Sequence, residues 1–111
     1  MSLDWATIVA HALTLPDTEP ATSYGKPAVK ANGRAIVSTA DDPGVFVLHL
    51  DRALVDMLME TDPDTYWQTP HYAGWPAVLV RYATDDPARV LAMVEASRNW
   101  AMTRSRPRRN P

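Results

Sequence analysis

Three histidines (His11, His49, His71), two acidic doublets (Asp41-Asp42 and Asp85-Asp86) and five serines carry most of the side-chain chemistry in this sequence. None falls into a catalytic pattern. Ser2, Ser23, Ser38, Ser97 and Ser105 lie in no nucleophile-elbow context, and no glycine-rich phosphate loop is present. The histidines lack metal-ligand spacing. Both doublets precede a proline, where carboxylates cap turns and helix starts. Cysteine is absent, which excludes disulfides, thiolate metal sites and cysteine nucleophiles. The expectation is a protein that is not an enzyme and holds no cofactor and no metal.

Charge and aromatic residues carry more information. The net charge of −2 divides unevenly along the chain. Residues 1–97 hold all 13 acids and six basic residues, for −7, whereas residues 98–111 hold five arginines and no acid, for +5. Such an arm suits a polyanion, or it can solubilise the terminus or lie on its own acidic body. Between Glu19 and Asp41 stand Lys26, Lys30 and Arg34 with no acid among them. A second concentration, "QTPHYAGWPAVLVRY", packs His71, Tyr72 and Trp75 between prolines and a glycine before a run of strand formers ending near Arg81. There His71 can lock the turn by bonding backbone, or project toward a phosphate. Trp67 is expected to pack inward, and Tyr72 and Trp75 to be exposed.

The elements that position these residues follow from periodicity and punctuation. Trp5, Ile8, Val9, Ala12 and Leu13 recur at helical spacing over residues 3–14, with Ser2 as a cap, Asp4 at the positive end of the dipole and His11 on the solvated side. "PDTEPATSYGKP" reads as a connecting loop because of its three prolines. Three short strands then occupy residues 28–50, joined by Asn32-Gly33 and by the turn at residues 41–44. Asp51 caps a helix whose Leu54, Met57, Leu58 and Met59 face inward. Residues 65–69 form a short strand and residues 77–82 a firmer one. Asp86-Pro87 opens a last helix with Val90, Val94, Ser97 and Ala101 on one side.

Period-2 alternation puts Lys26, Ala28 and Lys30 on one sheet face, and Arg81 with Ala77 and Leu79. A two-residue Asn-Gly loop pairs Lys30 with Ala35 and sends Arg34 to the other face. A three-residue loop with a bulge at Gly33 pairs Lys30 with Arg34. Both remain open at this point.

The order α-β-β-β-α-β-β-α defines an α+β class: a two-layer α/β sandwich with a five-stranded antiparallel sheet and helices on one face. Length sets one domain over residues 1–103, followed by a basic tail at 104–111. No apolar run is long enough to cross a bilayer, and the N-terminus lacks a secretory pattern, so a cytoplasmic protein with no membrane partner is expected.

Thr69-Pro70-His71-Tyr72, followed by Gly74 and the strand Pro76-Ala77-Val78-Leu79-Val80-Arg81, resembles the MmcQ/YjbR-like family of small bacterial proteins. The likeness covers residues 15–109. It implies a frataxin- and secretion-chaperone-like fold and a proposed double-wing DNA-binding motif of paired β-hairpins. The resulting expectation is weak, non-specific DNA binding through Lys26, Lys30, Arg34, His71, Arg81, Arg104, Arg106, Arg108 and Arg109. The alternative is a protein-interaction module or homodimer with Tyr72 and Trp75 on its contact surface. A small molecule held under Trp67 and Tyr72 is a third.

Overall fold

Six antiparallel strands in the order β1-β2-β3-β4-β6-β5 form a single sheet, with three helices packed on one face. The computed structural model describes residues 2–105. In chain order the elements are α1 (Trp5–Leu13), β1 (Thr18–Ser23), β2 (Lys26–Ala31), β3 (Arg34–Thr39), β4 (Val45–His49), α2 (Arg52–Thr61), β5 (Tyr66–Trp67), β6 (Ala77–Arg81) and α3 (Pro87–Thr103). The α+β class and the antiparallel sheet agree with expectation, but the strand count is six rather than five.

The added strand is β1, in the segment read as a loop. Its prolines cost the sheet nothing. The Tyr24-Gly25 turn makes Ser23 and Lys26 a hydrogen-bonded pair, so Thr22↔Pro27 and Pro20↔Val29 are non-hydrogen-bonded pairs. Pro20 therefore turns its missing donor toward the open edge. Pro27 faces a position before the β2–β3 ladder, which begins at Ala28↔Ser38.

Each helix start follows from a carboxylate. Asp4, rather than Ser2, caps α1 by accepting from the Thr7 amide at 2.7 Å. Asp51 accepts from the amides of Ala53 at 2.8 Å and Leu54 at 3.3 Å. Asp86 accepts from Arg89 at 3.1 Å with Pro87 in the first turn. The α3 residues Val90, Val94, Ser97 and Ala101 are its four buried ones, as their spacing predicted. Two inward assignments need correction. Met57 lies at the surface, where Arg89 Nη2 donates to its sulfur at 3.1 Å, and Leu13 is also exposed. Leu58 is buried as expected, and Val55 joins it on the buried face of α2.

The core lies between the helices and one sheet face. Phe46, Leu48, Val78 and Val80 of the central strands are fully buried there against Ile8, Val55, Leu58, Val90 and Val94. Each such side chain contributes roughly 1.5–3 kcal/mol. A bulge in β3 adds to this layer: Val29 pairs with Val37 but Lys30 with Ala35, leaving Ile36 outside the ladder and both Ile36 and Val37 inside the core. The freed Ile36 carbonyl accepts from Ser97 Oγ at 3.2 Å, and the same hydroxyl contacts the His49 carbonyl. One buried serine on α3 thus satisfies backbone that the bulge would otherwise orphan.

Candidate functional site

The first two hairpin turns each use two residues at positive φ, Tyr24-Gly25 (52° and 78°) and Asn32-Gly33 (53° and 74°). The second settles the register left open by the sequence. Ala31 pairs with Arg34 and Lys30 with Ala35, so Arg34 lies on the helix side and Lys30 on the helix-free side. Asn32 then reaches the end of α3, its Nδ2 donating to the carbonyls of Ala101 at 3.0 Å and Arg104 at 2.6 Å. Arg34 donates from Nε and Nη2 to the Ser105 carbonyl at 3.2 and 2.8 Å. Arg104 lies over the Trp100 ring at 4.4 Å. The β2–β3 hairpin and the end of α3 therefore enclose a notch of about 230 Å³, lined among others by Gly33, Arg34, His49, Pro76, Trp100 and Arg104. Two guanidinium groups and no carboxylate line it among the described residues. Lys30 is one strand away, beside Ala35 and across from Glu19.

The remaining expected basic residues are dispersed. Lys26 pairs with Asp41, whose carboxyl is held below its ordinary value by the lysine hydrogen bond and then by its charge. Arg81 is on the helix-free face, stacked over Trp67 at 4.1 Å and donating from Nε to the Asp64 carbonyl at 3.0 Å. Arg106, Arg108 and Arg109 lie outside the described residues. Asp42 does turn duty, accepting from the Gly44 amide at 2.8 Å.

The helix-free face is concave. Val47, Ala77 and Leu79 form an apolar floor with Trp67 and Tyr72 packed against it, and the cleft above encloses about 1060 Å³. One wall carries Tyr24, Lys26 and Asp41; the other carries His71, Tyr72 and Trp75. The loop over residues 69–76 holds its shape through Gln68, whose Nε2 donates to the carbonyls of Trp75 at 3.0 Å and Ala77 at 2.7 Å. Gln68 thereby performs the turn-locking role expected of His71. His71 itself is exposed, stacked on Trp75 (centroids 6.3 Å, planes 19° apart) and edge-on to Tyr72 at 5.1 Å. Trp75 is 57% exposed as expected, whereas Tyr72 is half-buried on the floor cluster. Trp67 packs as foreseen, though on this face rather than in the main core.

Three residues escaped sequence reasoning. Tyr24 is fully exposed at the β1–β2 tip, where Ser-Tyr-Gly-Lys was readable as a turn only with β1 recognised. His49 lines both the notch and the cleft, and its Nε2 is shut off from solvent with no hydrogen-bond partner among the described residues. Burial pushes that imidazole down to about 4, so it is neutral at physiological pH. His11, expected to be solvated, is half-buried with its Nε2 likewise unpartnered.

No group of three or more His, Asp or Glu side chains among the described residues could hold a metal ion, and no described helix is long and apolar enough to cross a membrane. No protein-family model, curated protein or solved structure matches this chain. The fold and geometry therefore define its class: an α+β domain with a cationic notch at one end of the sheet and an aromatic cleft on its open face.

Proposed function

We propose that this protein binds DNA through its phosphate backbone, with the notch between the β2–β3 hairpin and the end of α3 as the anchoring site. The observation that carries this reading is the convergence of Arg34 and Arg104, from distant parts of the chain, on one cavity with no carboxylate in its described lining. Guanidinium groups suit phosphate because they donate in a planar fork. Trp100 holds the Arg104 group on its ring face, and the Ser105 carbonyl holds that of Arg34, so both are partly ordered before a ligand arrives. The chain continues from this point into Arg106, Arg108 and Arg109. The likeness of residues 69–81 to MmcQ/YjbR-like proteins supports the same reading, with the β2–β3 hairpin as a wing. The acidic body keeps such binding weak and confined to this pole.

Fluorescence anisotropy with a labelled duplex tests it. Engagement of five arginines gives a slope of log K against log salt of about −4 to −5. Arg34→Ala combined with Arg104→Ala should lower the magnitude of that slope by about 2, with affinity loss largely independent of base sequence. No binding at about 50 mM salt, or an unchanged slope in the double variant, would overturn the proposal.

A further inference from the structure

Resting on the DNA-binding reading, we infer that the cleft on the helix-free face seats an unpaired base, so that the protein prefers single-stranded to duplex DNA. Tyr24 is the first reason. A bulky aromatic residue at φ 52° is in the left-handed region that Gly and Asn occupy readily, and the equivalent position of the other hairpin is Asn32. Tyr24 is fully exposed, so its ring returns no internal packing for that strain. A strained, projecting ring on the wall of a cavity is explained by what it touches from outside.

The opposite wall supplies a second flat surface, Trp75 stacked with His71. Bases stack on such rings irrespective of sequence, because every base has a π face. The cleft is also suited to an uncharged ring rather than to phosphate. Its lysine is already paired with Asp41, and its floor of Val47, Ala77 and Leu79 is apolar.

Continuity with the notch fixes the arrangement. His49 and Pro76 line both cavities beside Trp75, and Tyr24 stands at the other end of β2. A strand whose phosphate meets Arg34 and Arg104 therefore lays its next bases along the cleft from Trp75 toward Tyr24. A base within a duplex is held in its stack and cannot enter without being extruded.

The test compares one labelled single strand with its own duplex, at equal length and salt, against full-length protein and three variants. Single strand should bind about tenfold more tightly than duplex. Tyr24→Asn and Trp75→Ala should each weaken single-strand binding by about fivefold or more and leave duplex binding unchanged. Arg34→Ala with Arg104→Ala should weaken both. Tyr24→Asn creates an Asn-Gly turn, so its folding is secure, and thermal melts check the other variants. If both aromatic variants melt normally and bind single strand like the parent while the arginine variant loses both forms, the cleft inference fails and the notch reading stands. If neither form binds the parent protein, both fail.

Discussion

Acidification should destabilise this protein through His49 well above the range in which its carboxylates protonate. His49 is half-buried at the junction of notch and cleft with its Nε2 shut off from solvent, and desolvation brings the imidazole down to about 4, against 6.5 for an exposed histidine. The folded state therefore resists a proton that the unfolded chain accepts. Above pH 6.5 both states are neutral there and the stability is fully present. As the pH falls from 6.5 toward 4 the unfolded state takes up the proton alone, and the loss grows to roughly 3 kcal/mol, levelling off once the folded state also protonates. Total stability for a domain is only about 5–15 kcal/mol, so such a loss is large. Urea unfolding followed by tryptophan fluorescence, at about pH 7.5 and again at about pH 4.5, measures it. His49→Gln retains a polar side chain that does not titrate, so the difference between parent and variant isolates His49 from His11 and His71. Equal losses in the two proteins over that interval would show that His49 does not carry this pH dependence. Asp4 and Asp41 act in a separate, lower window. Their carboxyls are held below 3.8, by the Thr7 backbone hydrogen bond and by the Lys26 hydrogen bond respectively, so their contribution is present above that value and lost as pH falls through their folded values.

Two further substitutions probe the scaffold. Ser97→Ala removes the one hydroxyl that serves the Ile36 and His49 carbonyls, and should cost roughly 1–3 kcal/mol in urea unfolding; a cost near zero would show that the bulge carbonyl has another partner. Tyr24→Asn should stabilise the fold by about 0.5–1 kcal/mol, raising Tm by a few degrees, because Asn tolerates the left-handed region that strains Tyr; a lower Tm would mean that Tyr24 makes stabilising contacts after all.

Local chemistry was legible wherever a residue acts on its near neighbours in the chain. Asp51 and Asp86-Pro87 start helices because their carboxylates reach amides two or three residues on. Asn32-Gly33 turns the chain because both residues accept positive φ. Periodicity named the buried stripe of α3 and the face shared by Lys26, Ala28 and Lys30. The same local logic failed for β1, since whether a proline breaks a strand depends on which side of the ladder its nitrogen faces, and that is a property of the partner strand.

Sequence alone specified the caps of α2 and α3, the turns at residues 32–33 and 41–44, the α+β class and the charge asymmetry, all of which depend on contacts within a few residues or on composition. Tertiary structure decided the rest. Arg34 is on the helix side because the register of β2 against β3 puts it there, and it meets Arg104 only because Asn32 and Arg34 hold the end of α3. His49 is neutral because packing around the end of β4 takes its ring nitrogen from solvent, on a strand face that alternation alone would leave solvated. Burial and convergence are sums over neighbours from the whole chain, and no short window of sequence contains them.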